Sequence, residues 1–277
     1  MKKKIRLIIG AVLALVLVIG IVMTVRQQLD YKKGRKDYDD ALATAMSTPS
    51  SAPEDKPEKE ESAPKQEQEQ ENEQEEAAKP RDPMLDKLEE LSLENLQAVN
   101  SDVVGWITIP DTDVNYPILQ TGDNRFYLNK TWKKQASTVG SIFMECQNRA
   151  DLSQFNTLIY GHNMKDGSMF SILRNYLEEG YWEEHPYVYI AVENDVRRYD
   201  IYAAYEVGVW EITYGLEIEK EEDKQEFIDF GLSKSKIDTG VVPTVEDDVL
   251  TLSTCTGNGN AATGTRWVIQ AVWNKDA

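Results

Sequence analysis

Few residues in this 277-residue chain can carry metal or thiol chemistry: it has two cysteines and two histidines. Cys146, Cys255, His162 and His185 show neither C-x-x-C nor H-x-x-x-H spacing, so no metal site is expected. No Gly-rich loop opens a helix. The stretch "TGNGN" (256–260) follows a strand-like run and leads into another, which argues against a dinucleotide site. Basic charge is short too: 30 Lys and Arg against 48 Asp and Glu leave a net charge of −18. Nucleic-acid binding needs a basic face, so that partner class is not expected. The acids themselves are missing from one stretch. Val249 to Lys275, "VLTLSTCTGNGNAATGTRWVIQAVWNK", holds no Asp or Glu.

What is present begins with "MKKKIR" (1–6) and 19 uncharged, mostly apolar residues, Leu7–Val25. A helix of that length nearly spans a hydrocarbon core of about 30 Å. The run is longer than a signal-peptide core, and "ALA" (41–43) stands too far downstream for an easy cleavage site. The expectation is an uncleaved single-pass anchor over 7–25, with Lys2, Lys3, Lys4 and Arg6 favouring a cytoplasmic N-terminus. Residues 26–83 read as an acidic stalk. Within it 54–79 alone holds 11 acids against 4 lysines, with proline, many Gln and no aromatics, a composition that cannot bury a core. The stretch 26–46 has helical character next to the membrane. Beyond it, a flexible spacer of 36 residues, Thr48–Pro83, would reach roughly 30–36 Å.

Residues 84–277 read as one folded domain. "DPMLDKLEELSLENLQAVN" (82–100) has leucines at helical intervals and predicts an opening helix. Short strands then follow in "VVGWITIP", "DTDVNYPILQ", "GSIFMEC", "NTLIYGH", "YVYIAV", "RRYDIYAAYEVGVW", "VLTLST" and "RWVIQAVW". Helical insertions at 168–185 and 219–235 interrupt them. About eight short strands predict a mainly β fold, a closed or nearly closed barrel.

The chemistry concentrates near the C-terminus. The thiolate is the attacking form of cysteine; nearby cations favour it and carboxylates disfavour it. The acid-free stretch around Cys255 suits a reactive thiol. If the strand opening at Arg266 pairs beside the one ending at Cys255, a guanidinium returns near the sulfur, where its fork of donors suits an oxyanion. A histidine brought in by the fold would move the protons. On spacing alone His162 is either that histidine or a satisfied loop residue, while His185, at a helix end before proline, reads as a surface or capping residue. Exported proteins usually pair their cysteines, so a Cys146–Cys255 bridge is the other reading of both thiols, although a domain of this size does not need it.

Taken together, "NSDVVGWITIPDTDVNYPILQ", "DNRFYLN", "GSIFMECQN", "NTLIYGHNMKDGSMF" and "TLSTC" with its following arginine resemble a class B sortase. That resemblance implies a closed eight-stranded sortase barrel with an N-terminal helix and helical insertions. It implies Cys255 as nucleophile, His162 as general acid/base and Arg266 as oxyanion donor. It places Asn124, Leu128, Tyr160, Ser253 and Thr254 along a peptide groove. The implied reaction is transpeptidation. Cys255 attacks a C-terminal sorting motif of an exported protein, and the thioacyl-enzyme is resolved by an amine of a cell-wall precursor. The implied setting is a Gram-positive cell membrane with the domain outside, and no cofactor. The alternatives are a pilin-polymerising enzyme using a pilin lysine, a hydrolytic cysteine peptidase, and a silent surface module bridged through Cys146 and Cys255. Thr256 and Gly257 stand where some class B members carry an acid, and Cys146 is an unexpected thiol.

Overall fold

The computed structural model describes residues 2–47, 81–257 and 264–277. Eight strands close into a barrel: β1 (Val103–Thr108), β2 (Asn115–Leu119), β3 (Ile142–Met144), β4 (Asn156–Tyr160), β5 (Tyr187–Val192), β6 (Asp195–Gly208), β7 (Val249–Cys255) and β8 (Thr265–Asn274). Their order around the wall is β1-β2-β3-β4-β7-β8-β6-β5. The pairs β2/β3 and β4/β7 are parallel and the others antiparallel. Each strand falls where the sequence pattern places one.

Helices cover parts of the wall: α1 (Lys2–Ala45), α2 (Pro83–Glu89), α3 (Leu93–Val99), α4 (Tyr181–Glu184) and α5 (Glu221–Lys234). The single opening helix expected over 82–100 is two helices. Asp82 caps α2 by accepting from Met84 N, and Ser92 caps α3 by accepting from Asn95 N, so the chain restarts at Ser92. The insertion at 168–185 also divides. A 3₁₀ segment, Ser171–Leu177, ends before Gly180, whose φ of 86° breaks the path into the one-turn α4.

Side chains alternate across β7. Leu250 and Leu252 join the cluster shared with β1, β2 and α1–α3, whereas Val249 joins Phe227 and Ile228 of α5 with Tyr202, Val268 and Val272. Residues 249, 251, 253 and 255 therefore share the face that α5 covers at one end. At the other end β7 runs out at Cys255, its single exposed residue.

The largest departure from expectation concerns residues 26–47. They are not a stalk. Helix α1 runs unbroken past Val25, and its last turns pack on the barrel with Tyr38, Ala41 and Ala45 buried. Asp30 accepts from Thr138, Trp132 Nε1 donates to Asp37 O at 2.6 Å, and Tyr38 Oη donates to Gly140 O at 2.5 Å. The aromatic and small residues spaced along 31–45 form an apolar stripe, which the charge of the region masks in the sequence. The rest of the expected stalk, 48–80, lies outside the described residues.

Candidate active site

Register brings the site together. Cys255 and Arg266 are direct partners across β7 and β8. Directly opposed residues hold their Cβ atoms about 4.5–5.5 Å apart on one face. On the other side of β7, Tyr160 of β4 is level with Ser253 in a parallel pair. His162, two residues beyond Tyr160, is thus carried toward the level of Cys255, two residues beyond Ser253. Gly161 N donates to Ser253 O at 3.2 Å, and Asn163 Nδ2 donates to Cys255 O at 2.8 Å, which fastens this extension to β7. The thiol stands between the imidazole strand and the guanidinium strand.

All eight site residues expected from sequence line one open groove of about 450 Å³: Asn124, Leu128, Tyr160, His162, Ser253, Thr254, Cys255 and Arg266. Arg266 Nη1 donates to Thr265 O at 2.9 Å, and among the described residues Arg266 forms no ion pair. His162 Nε2 lies 2.6 Å from Leu128 O. A carbonyl oxygen only accepts, so Nε2 carries the hydrogen and Nδ1 is the basic nitrogen of the neutral ring. His185 is elsewhere: it is the C-cap of α4, a capping residue as expected, with its Nδ1 3.1 Å from Pro110 O and its ring against Tyr181.

Sequence reading missed the groove's floor. Glu145 is buried at 4% exposure. It accepts from Asn124 Nδ2 at 2.7 and 2.6 Å and from Tyr160 Oη at 2.9 Å. Burial pushes its carboxyl up, but donors from Asn124, Cys146, Tyr160 and Gln147 outweigh this and hold it below the usual glutamate value. The signal was the acid in "IFMEC", since an unpaired acid is rarely buried beside such apolar neighbours. Tyr214, from a 3₁₀ turn (Ile212–Tyr214), places its hydroxyl 3.0 Å from Ser253 Oγ. Burial pushes its phenol up to about 12, so it stays neutral. Nothing in the sequence pointed to that turn.

Glu145 gives a pH prediction. A depressed carboxylate stabilises the fold above its ordinary pKa of 4.5 and loses that contribution as pH falls through its lower folded value. Glu145→Gln is expected to cost about 2 kcal/mol at pH 7, the scale of hydrogen bonds to a charged group. The gap in Tm between parent and variant should narrow below about pH 4.5. A gap unchanged from neutral pH to pH 3 would show that the network does not depend on the charge.

Both cysteines are free thiols, so the bridge between them is not formed. Cys146, the unexpected thiol, belongs to the Glu145 network. Its Sγ lies 3.2 Å from Glu145 Oε1 and its N–H donates to Asn124 Oδ1 at 2.8 Å. Burial, then the Glu145 bond and charge, raise its pKa and favour the thiol. In place of an acid after Cys255, Thr256 bonds across the hairpin to Thr265, whose hydroxyl donates to Glu206. The expected turn residues 258–263 lie outside the described residues.

The sortase-domain family model matches residues 107–274. The chain is 38% identical to Sortase B of Listeria monocytogenes over 180 residues, 64% of this chain and 72% of that protein. It is 36% identical to Sortase B of Staphylococcus aureus over 164 residues, 58% of this chain and 66% of that protein. Among solved structures, a Staphylococcus aureus sortase B–substrate complex superposes with a TM-score of 0.69 at 26% identity, covering 90% of this chain and all of that one. Sortase B from B. anthracis gives 0.67 at 26% identity, covering 88% and 98%. With the closed barrel, the paired cysteine and arginine, and the histidine beside them, these matches establish that the chain belongs to the sortase family of cysteine transpeptidases, in its class B.

Proposed function

We propose that Cys255 is the nucleophile, His162 the proton carrier and Arg266 the oxyanion donor of a membrane-anchored transpeptidase acting on a C-terminal sorting motif. The observation that carries this is the Cys255–Arg266 register with His162 on the opposite flank. The thiol proton passes to His162 Nδ1, and Sγ attacks the scissile carbonyl. The guanidinium of Arg266 meets the developing oxyanion. As the intermediate collapses, the C–N bond breaks, the imidazolium protonates the leaving amine, and a thioacyl-enzyme remains. An incoming amine loses its proton to His162, attacks the thioester and releases Cys255. A cell-wall precursor is the proposed acceptor.

The groove supports a peptide occupant. Leu128, Val209 and Leu216 offer apolar walls, while Ser253, Tyr214 and Asn124 offer hydrogen-bonding groups. A similar structure is a sortase B–substrate complex, which fits this reading. Anchoring is supported by α1, which is long and apolar enough to cross a membrane, with a mean hydropathy of 2.5 over a window that is not buried in the protein. The N-terminus is proposed to be cytoplasmic and the barrel extracytoplasmic.

Mass spectrometry after incubation with a small library of sorting-motif peptides tests the reading. A mass gain equal to the N-terminal peptide fragment is expected on Cys255, discharged by an added amine as an amide product. No adduct with any peptide, or an adduct on Cys146, would count against it.

Gly140 bears on the same step. Its φ is 64°, and a methyl there would stand 2.8 Å from both His162 Cδ2 and Leu128 O. Displacing a reacting group by about 1 Å can cost about 100-fold. Gly140→Ala is therefore expected to lower kcat by about 10- to 100-fold. Unchanged kcat in a folded variant would show that the ring position is not set there.

A further inference from the structure

We infer that the end of the catalytic body at Thr138, and not its whole flank along α1, lies against the lipid headgroups of the membrane that α1 spans. This rests on the anchoring reading above and adds an orientation and a height to it.

The first argument is length. The apolar run ends at Val25, and the first α1 residue bonded to the barrel is Asp30, which accepts from Thr138 N at 3.0 Å and Thr138 Oγ1 at 2.5 Å. Five helical residues rise about 7.5 Å. The headgroup layer on each side of the hydrocarbon is roughly 5–8 Å thick. Thr138 is thus level with the headgroups. Tilting the helix brings the body closer to the bilayer, not farther from it.

The second argument is stiffness. Contacts to the barrel fall at Asp30, Gly34, Asp37, Tyr38 and Ala41, one face of the helix. The approach at Gly34 is close: a methyl there would stand 2.9 Å from Val139 Cγ2. Ala45 O accepts from Ser92 N at 2.9 Å and ties the helix end to the body. The barrel cannot swing away without breaking this seam.

The third argument is charge. From 124 to 144 the chain has Arg125, Lys130, Lys133 and Lys134 and no acid, and 26–36 has five cations and one acid, in a chain of net charge −18. Lys133 pairs with Asp40, Lys134 with Asp102 and Arg35 with Asp166. Arg26, Lys32, Lys33, Lys36, Arg125 and Lys130 form no ion pair among the described residues. Cations held next to a membrane helix fit anionic headgroups.

The consequence is a fixed working height. Tyr38, 13 residues past Val25, stands about 20 Å beyond the apolar run. It holds Gly140, which packs on His162. The acidic segment 48–80 does not set this height. Ser47 O accepts from Asn95 Nδ2 at 2.7 Å, and Asp82 accepts from Tyr189 Oη at 2.6 Å and Arg198 Nη1 at 3.2 Å, so the described residues on either side of the segment are held on one body.

The test uses the full chain with Cys146→Ser and Cys255→Ala, reconstituted in phosphatidylglycerol/phosphatidylcholine vesicles doped with a headgroup-nitroxide lipid. A fluorophore is placed on Ala136→Cys or, as the distal control, on Asn194→Cys. Both positions are exposed, and Asn194 shares a hollow with Ser92 at the far end of α1. Quenching at 136 is expected to exceed that at 194 several-fold, and deleting 50–78 should leave the ratio unchanged. Equal quenching at both sites in a chain that floats with the vesicles overturns the orientation alone. A ratio that collapses on the deletion overturns it as well. A chain that does not float with vesicles overturns the anchor, and the orientation with it.

Discussion

Cys255→Ala is expected to abolish acyl-enzyme formation, lowering turnover by about 10⁴-fold or more, because alanine has no atom that can form the thioester. The same change should leave stability almost untouched. Cys255 is the exposed end of an otherwise buried strand. Surface substitutions of that kind usually stay within about 0.5 kcal/mol. The measurements are peptide turnover, adduct mass and thermal unfolding of the same preparation. A variant with intact Tm and residual turnover above about 1% of the parent would move the nucleophile elsewhere. Cys146 is the one other thiol, and it is poorly placed for the task. Burial and the neighbouring Glu145 carboxylate keep it protonated, so Cys146→Ala is expected to retain the Cys255 adduct.

The contrast between the two thiols shows what was legible in the sequence. The acid-free run from Val249 to Lys275 marked Cys255 and Arg266 as a pair, and strand period plus a short connection made them register partners. His162 was legible because "NTLIYGH" ends a strand, although only the parallel pairing of β4 with β7 shows why it arrives beside Cys255. Glu145 and Tyr214 were not legible. Their roles depend on donors brought from Asn124, Tyr160 and Ser253, and such contacts leave no periodic trace. The docking of α1 was hidden for a different reason. Its buried stripe is made of Tyr38, Ala41 and Ala45, and a run of lysines and aspartates around them reads as a solvated helix until the barrel surface is in place. Composition judged 26–47 by its charges; packing judged it by three small or aromatic residues on one face.

Arg266→Lys is the second large effect, and it separates charge from geometry. Lysine keeps the positive charge but replaces a rigid fork of five donors with one flexible ammonium. In the free site one arm of the fork is already used, Nη1 donating to Thr265 O at 2.9 Å, which fixes the guanidinium plane at the strand edge. The remaining donors are those that the proposed oxyanion would meet on the face shared with Cys255. An ammonium must choose between the Thr265 carbonyl and the substrate, and removing one oxyanion donor commonly costs about 10²–10³ in kcat. The expected result for Arg266→Lys is therefore a fall of about 100-fold in kcat with a smaller change in KM, since the contact strengthens only as charge develops. Arg266→Gln, which also loses the charge, should fall below the lysine variant. Near-parental kcat in Arg266→Lys would mean that the field at Cys255 is sufficient and the fork is not. Equal kcat for the lysine and glutamine variants would mean the reverse, that donor geometry matters and charge does not. The register places a permanently charged planar donor opposite the thiol, and only a loss in both variants, larger for glutamine, is consistent with its acting through both properties.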